Sequence, residues 1–98
     1  MIAKRYRKKP VEIEAIQWDG TAEAATPIIQ WMLENDASVS YDCLTEPCYG
    51  DDGGHAIVVR TLEGDMTVSP GDYVIRGVRG EFYPCKPDIF HQTYLEIN

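Results

Sequence analysis

The stretch from Thr61 to Tyr94, TLEGDMTVSPGDYVIRGVRGEFYPCKPDIFHQTY, constrains the fold more than any other part of the chain. Short apolar runs alternate in it with turn signals at Leu62–Asp65, Ser69–Asp72 and Gly77–Gly80, and apolar alternation resumes after each turn. Closely spaced turns of this kind join antiparallel strands. The stretch therefore predicts an antiparallel scaffold, and it contains no catalytic motif.

Two hairpins are expected in this region. The first pairs residues 56–62 with 66–68, and the second pairs residues 73–76 with 81–83. Between them, Pro70 and Gly71 suit the two central positions of a type II turn, since proline presets the first φ angle and glycine accepts a positive second one. We therefore predict a positive φ at Gly71.

The N-terminal half predicts one strand and one helix. Residues 11–18 alternate and then shift phase, which indicates a strand with a bulge near Ala15. Thr26 and Pro27 are typical of a helix start, so the main α-helix is predicted at about residues 26–34. Its apolar residues share one stripe that faces the sheet; they are Ile28, Ile29, Met32 and Leu33.

The remaining elements are predicted from weaker patterns. Val39 and Tyr41 favour a further strand, and residues 43–54 have the composition of a flexible, exposed loop. Residues 87–90 predict one helical turn, and residues 94–97 a closing strand paired with residues 11–18 to cover two edges. The prediction is a single α+β domain over residues 1–98, with a small twisted or half-closed antiparallel sheet of about six strands.

Composition limits the class of protein. The chain has 98 residues, of which 44% are hydrophobic, and it has two Trp, six Tyr and two Phe, which indicates a folded chain with a thin core. No run approaches the ~20 apolar residues of a membrane span. The basic segment 1–10 is not followed by an apolar signal core. We expect a cytoplasmic protein and no cofactor.

Charge is distributed unevenly along the chain. The N-terminal segment holds five of the nine basic residues, namely Lys4, Arg5, Arg7, Lys8 and Lys9. The remaining chain has four basic and sixteen acidic residues, so its formal charge is 4 − 16 = −12. The basic segment could bind nucleic acid, or it could lie on its own acidic body or on that of a second subunit. The acidic body disfavours nucleic acid because it repels a polyanion.

Two long segments carry a family resemblance. RYRKKPVEIEAIQWDG at residues 5–20 and the stretch at residues 61–94 resemble a family of small proteins encoded by tailed bacteriophages and prophages. The motif PGDYVIRGVRGEFYPCKPDIF is the most specific part of the match. The resemblance implies a phage or prophage accessory protein, but it brings no activity and no catalytic residues. His91 departs from the acidic or small residue expected at its position, so any role of His91 is particular to this chain.

Candidates for metal or thiol chemistry are few. Cys43, Cys48, Cys85, His55 and His91 have the right ligand chemistry for zinc, but their spacing lacks the second close pair of a structural zinc site. Cys85 and His91 are a candidate nucleophile and base. The alternative interpretation makes Cys85 a small buried residue and leaves Cys43 and Cys48 as free loop thiols.

The second hairpin concentrates groups that bind anions. Arg76, Arg79 and Lys86 lie on it or directly after it, together with the aromatic residues Tyr73, Phe82 and Tyr83. Arginine binds phosphate through two parallel hydrogen bonds, and aromatic faces stack on bases or guanidinium groups. The alternative is a solvated hairpin whose arginines pair with Glu81 and Asp72.

We therefore expect a non-enzymatic accessory protein that acts by binding a host protein or a small anionic, nucleotide-like ligand, as a homo-oligomer. The alternatives are a nucleic-acid-binding protein that uses the basic segment, and a zinc- or thiol-dependent enzyme.

Overall fold

The computed structural model describes residues 2–7, 9–44 and 54–97. In these ranges the chain forms six strands and two helices. In order they are β1 (Glu14–Gln17), α1 (Ala22–Glu34), β2 (Ser38–Cys43), β3 (His55–Thr61), β4 (Gly64–Val68), β5 (Tyr73–Arg76), β6 (Phe82–Cys85) and α2 (Pro87–Thr93).

The strands form two three-stranded antiparallel sheets. The first has the order β1-β5-β6 and the second the order β2-β3-β4. This confirms the α+β class and the antiparallel pairing of six strands, which are divided between two sheets that do not close. The predicted hairpins are the β3–β4 and β5–β6 pairs. The predicted strand around Val39 and Tyr41 is β2.

The core lies between α1 and the inner faces of the two sheets. Its buried members come from all three layers and include Trp18, Ile28, Met32, Ile57, Val59, Val68, Val74 and Phe82. Edge-to-face aromatic pairs connect the layers: Trp31 of α1 meets Phe82 of the first sheet at a centroid distance of 5.1 Å, and Trp18 meets Tyr41 of the second at 6.0 Å. Helix α1 therefore joins the two sheets through one core.

Helix α1 begins at Ala22, so the predicted start at Thr26 was wrong. The Oγ1 atom of Thr21 accepts a hydrogen bond from the Ala24 backbone N–H at 3.0 Å. The Asp19 carboxylate in turn accepts bonds from the Thr21 backbone N–H and hydroxyl. This capping arrangement satisfies free amides of the first turn. Pro27 consequently lies inside the helix.

The buried stripe of α1 also differs from the prediction. Ala25, Ile28 and Met32 are buried, whereas Leu33 is exposed and Ile29 is half-buried at the edge of the core. Because the helix begins earlier than predicted, Ala25 joins the buried side one turn before Ile28 and Ile29. The predicted stripe is thus correct for Ile28 and Met32, partly correct for Ile29 and wrong for Leu33.

The first strand and the C-terminus were predicted incorrectly. β1 covers only residues 14–17, and its pairing with β5 runs without interruption, so there is no bulge at Ala15. Residues 94–97 do not form a strand. β5 takes the position beside β1, because Trp18 exchanges backbone hydrogen bonds with Asp72 and Gly71. The C-terminal helix is longer than predicted and spans residues 87–93.

The predicted turn at residues 69–72 is confirmed. The Asp72 backbone N–H donates to the Ser69 carbonyl at 3.0 Å, and Gly71 has a φ of +92°. Most of the predicted flexible loop at 43–54 lies outside the described residues. At its ends, the Leu44 backbone N–H donates to the Gly54 carbonyl.

Gly71, which lies in this turn, and Gly20, which packs against Pro70 of the turn, give a stability prediction. A Cβ at Gly71 would meet no atom within 4 Å, so Gly71→Ala should cost about 1 kcal/mol through backbone strain alone. Gly20 has a φ of +97°, and a Cβ there would lie 2.8 Å from Pro70 Cβ. Gly20→Ala should therefore destabilise the protein more than Gly71→Ala in urea unfolding. Equal costs would contradict the close packing of Gly20 on Pro70.

Candidate functional site

The predicted anion-binding residues lie on opposite faces of the first sheet. Residues directly opposite one another on antiparallel strands share a face. Ile75 is paired with Tyr83, and Tyr73, two residues from Ile75, lies on that same face. Arg76 is paired with Phe82 on the other face, which packs against the core. The structure therefore does not bring Arg76 together with the two tyrosines.

The tyrosine face is covered by the C-terminal segment. The ring of Phe90 stacks on Tyr73 with a centroid distance of 3.8 Å and an interplanar angle of 4°. His91 meets the same tyrosine edge-on, with its Nε2 atom 3.5 Å from the hydroxyl. Tyr94 hydrogen-bonds to Tyr83. Internal contacts thus occupy the aromatic surface that was predicted to stack on a ligand.

The environment of Tyr83 changes its acidity. Burial, the hydrogen bond to Tyr94 and nearby negative charge raise the pKa of Tyr83 from 10.0 to about 12. Each of these effects disfavours the phenolate. Tyr83 is therefore held neutral as part of the packed sheet face.

Two of the three predicted cations form ion pairs. The Nζ atom of Lys86 lies 3.1 Å from both carboxylate oxygens of Asp72, and Asp72 is only 2% exposed. Arg76 lies 3.3 Å from the Glu14 carboxylate across the β1–β5 ladder. The alternative interpretation expected the arginines to pair with Glu81 and Asp72, whereas in the structure Arg76 pairs with Glu14 and Asp72 pairs with Lys86. Lys86 compensates a buried charge that would be costly alone.

Arg79 lies at the tip of the β5–β6 hairpin. The tip is held by backbone bonds from Gly77 N–H to the Glu81 carbonyl and from Gly80 N–H to the Gly77 carbonyl. The Glu81 carboxylate folds back and accepts a bond from the Arg79 backbone N–H at 3.0 Å. Among the described residues, the Arg79 guanidinium forms no ion pair. Its exposed side chain is thus the cation of this hairpin that remains available for a ligand.

Arg79 and Tyr83 line a groove of about 910 Å³ between the two sheets, which we call the intersheet groove. Its most deeply buried lining residues are Val59 from β3 and Phe82 from β6, and the partly exposed Met66 from β4 lies beside them. The β3–β4 turn and the end of α1 complete the wall. The polar and turn residues of the lining are Asn35, Asp36, Ser38, Arg60, Thr61, Leu62, Glu63, Gly80 and Glu81.

Charge around the groove is mixed. Asp36, Glu63 and Glu81 contribute carboxylates, and Arg60 and Arg79 contribute guanidinium groups. Arg60 donates a hydrogen bond to the Ser40 hydroxyl at 2.9 Å. The lining thus has a net formal charge of −1. Its apolar base is suited to bind an uncharged side chain.

The C-terminal end of α1 positions Asp36 in the groove. Asp36 has a φ of +66°, and the backbone N–H groups of Asp36 and Ala37 donate to the carbonyls of Leu33 and Met32. This is a Schellman-type helix end, in which a residue with positive φ follows the helix. Aspartate stands where glycine is commonest, so residue type alone did not indicate this helix end.

The basic N-terminal residues lie apart from these elements. Residues 2–7 are exposed and lack regular secondary structure; we call them the N-terminal arm. The arm includes Lys4, Arg5 and Arg7, while Lys8 lies outside the described residues. Lys9 is exposed and lines a small cavity with residues 10, 11, 93 and 94. The base of the arm therefore lies beside the C-terminal end of α2.

The predicted thiol and metal residues are dispersed. Cys43 is disulfide-bonded, so the expectation of a free thiol there was wrong. Cys48 lies outside the described residues. Burial, followed by the charges of Asp72 and Asp88, raises the pKa of the Cys85 thiol and makes it a weaker nucleophile at neutral pH. Within residues 2–7, 9–44 and 54–97, no group of three potential metal ligands comes together.

The two histidines take part in aromatic packing. His55 stacks on Tyr41 at a centroid distance of 4.9 Å, and His91 packs against Tyr73 and Phe90. The structure thus gives both imidazoles aromatic neighbours on separate sheets.

Comparisons with protein-family models, with curated proteins and with solved structures find no match to this chain. Neither helix in the described part of the chain is long and apolar enough to cross a membrane.

The acidity of Tyr83 gives a pH prediction. Unfolded chains lose this proton near pH 10, whereas the folded protein retains it to about pH 12. The unfolded state binds fewer protons in that window, so the free energy of unfolding must fall as pH rises from 10 to 12. Tyr83→Phe should lose less stability over this interval in urea unfolding. If the two proteins lose stability equally, Tyr83 does not hold its proton in this way.

Proposed function

We propose that the protein is a non-enzymatic phage or prophage accessory protein that acts by binding a host protein through the intersheet groove. The observation that carries the proposal is the groove itself, because the partly exposed Met66 lies beside the buried Val59 and Phe82 within a charged rim. Protein interfaces commonly consist of an apolar centre surrounded by polar groups.

The position of the groove also supports binding of a protein. The fully exposed Leu62 stands at the β3–β4 turn on one side, and Arg79 stands at the hairpin tip on the other. Exposed leucine and arginine side chains on either side of an apolar depression can contact a partner around one inserted anchor. Two hairpins and the end of α1 supply the walls of the groove.

A small anionic ligand is the second candidate, and Arg79 favours it. Arg79 is exposed and lines the groove. A groove of about 910 Å³ is within the ~300–1,000 Å³ range of small-molecule sites. The carboxylates of Asp36, Glu63 and Glu81 on the same walls weigh against an anion, so we place the protein partner first.

Two exposed leucines test the protein-binding proposal. Leu62 lines the groove and Leu95 lies outside it, and both side chains are almost completely exposed. In affinity capture from infected host cells, Leu62→Glu should reduce recovery of the partner by about tenfold, because it places a charge in the interface. Leu95→Glu is the matched control and should leave recovery unchanged. Equal recovery with both variants would contradict binding through the groove.

Arginine substitutions test the small-ligand candidate. Arg79→Ala should change stability by less than about 0.5 kcal/mol, because the side chain is exposed, and it should abolish any stabilisation by nucleotide. Arg76→Ala is the control, since it removes the ion pair with Glu14 and no residue of the groove. Thermal melts with and without ATP measure both effects. If ATP leaves the wild-type melting temperature unchanged, this nucleotide is not the ligand.

A further inference from the structure

The N-terminal arm carries apolar side chains that its own fold leaves in solvent. Ile2 is 89% exposed and Tyr6 is 88% exposed. In an extended chain, residues two apart share a side, so Ile2, Lys4 and Tyr6 would project together and Arg5 and Arg7 would project opposite. The arm thus combines two apolar anchors with three cations.

The charge of the body complements the arm. Beyond Pro10 the chain has a formal charge of 4 − 16 = −12, and the groove lining itself is acidic by one charge. Lys4, Arg5 and Arg7 are therefore attracted to an acidic body, whether that of their own chain or that of another copy. The same field repels nucleic acid, which makes a polyanion the less favourable occupant of the arm.

The cavity at the base of the arm shares no lining residue with the groove of its own chain. Lys9 and Val11 lie beside Thr93 and Tyr94, on the side where α2 covers the first sheet. The groove lies instead between the two sheets, lined by Met66 and Phe82. An arm that begins outside its own groove can reach the groove of a neighbouring molecule.

We propose that the intersheet groove receives the N-terminal arm of a second copy of this chain, with Tyr6 as the anchor, so that two copies exchange arms. Tyrosine is a frequent interface anchor because its ring buries a large area while its hydroxyl stays hydrated. In the exchanged pair, each copy supplies one arm and one groove, which gives a closed twofold dimer. This inference rests on the proposed function because it uses the same groove, for which the arm of a second copy and a host protein would compete.

The test uses two full-length variants in sedimentation equilibrium. Tyr6→Asp disables the arm, and Leu62→Glu disables the groove. Each alone should raise the dimer dissociation constant by about tenfold or more. An equimolar mixture should associate more strongly than either variant alone, because the intact arm of one can enter the intact groove of the other. Leu95→Glu is the control and should dimerise like the wild type.

Several outcomes overturn the inference. A monomeric wild type means that arms are not exchanged between copies. A dimer unaffected by Tyr6→Asp means that the arm is not its contact, and a mixture no stronger than its components excludes arm-in-groove complementation. Binding of duplex DNA that weakens steeply with salt and is lost on replacing Lys4, Arg5 and Arg7 would assign the arm to nucleic acid.

The capture experiment separates this inference from the proposed function. If Leu62→Glu abolishes capture of a host protein while the wild type is monomeric, the groove binds a partner and only the arm exchange fails. If Leu62→Glu affects neither capture nor dimerisation, both proposals fail.

Discussion

The rest of the structure depends on the hydrogen bonds and the ion pair formed by the carboxylate of Asp72. It is buried, and it accepts hydrogen bonds from the Ser69 backbone N–H at 2.9 Å and from Lys86 at 3.1 Å. The first bond closes the turn by which the chain passes from the second sheet to the first. The second fixes Lys86, the residue that precedes α2. One side chain therefore sets both the connection between the sheets and the start of the C-terminal helix.

The same turn also positions the N-terminal half. Trp18 donates its backbone N–H to the Asp72 carbonyl and accepts from Gly71 N–H, while its indole N–H donates to the Thr21 carbonyl at 2.8 Å. Trp18 is fully buried in the core, and Thr21 caps α1. Strand β1, helix α1 and the β4–β5 turn are thus joined at one point.

The candidate site shows how burial changes the meaning of a sequence pattern. Tyr73, Tyr83, Arg76 and Lys86 resemble a ligand-binding set by composition. In the fold each has an internal role, because Phe90 stacks on Tyr73, Tyr94 bonds to Tyr83, and the two cations pair with Glu14 and Asp72. Arg79 differs because the hairpin tip displays it in solvent. What is left for binding is the groove beside that tip, whose apolar base comes from both sheets.

The sequence alone determined the local elements of this protein. Turn residues and alternation specified both hairpins, the positive φ of Gly71 and the α+β class, since φ preferences and side-chain periodicity act within a few residues. The sequence pattern placed the start of α1 wrongly. The cap at Thr21 is supported by hydrogen bonds to Asp19, and these leave no trace in the apolar periodicity. Tertiary structure decided that β5 lies beside β1, that residues 94–97 form no strand, and that Asp36, Met66, Arg79 and Phe82 share one groove. Those outcomes depend on contacts between segments far apart in the chain, and local propensities carry no information about them.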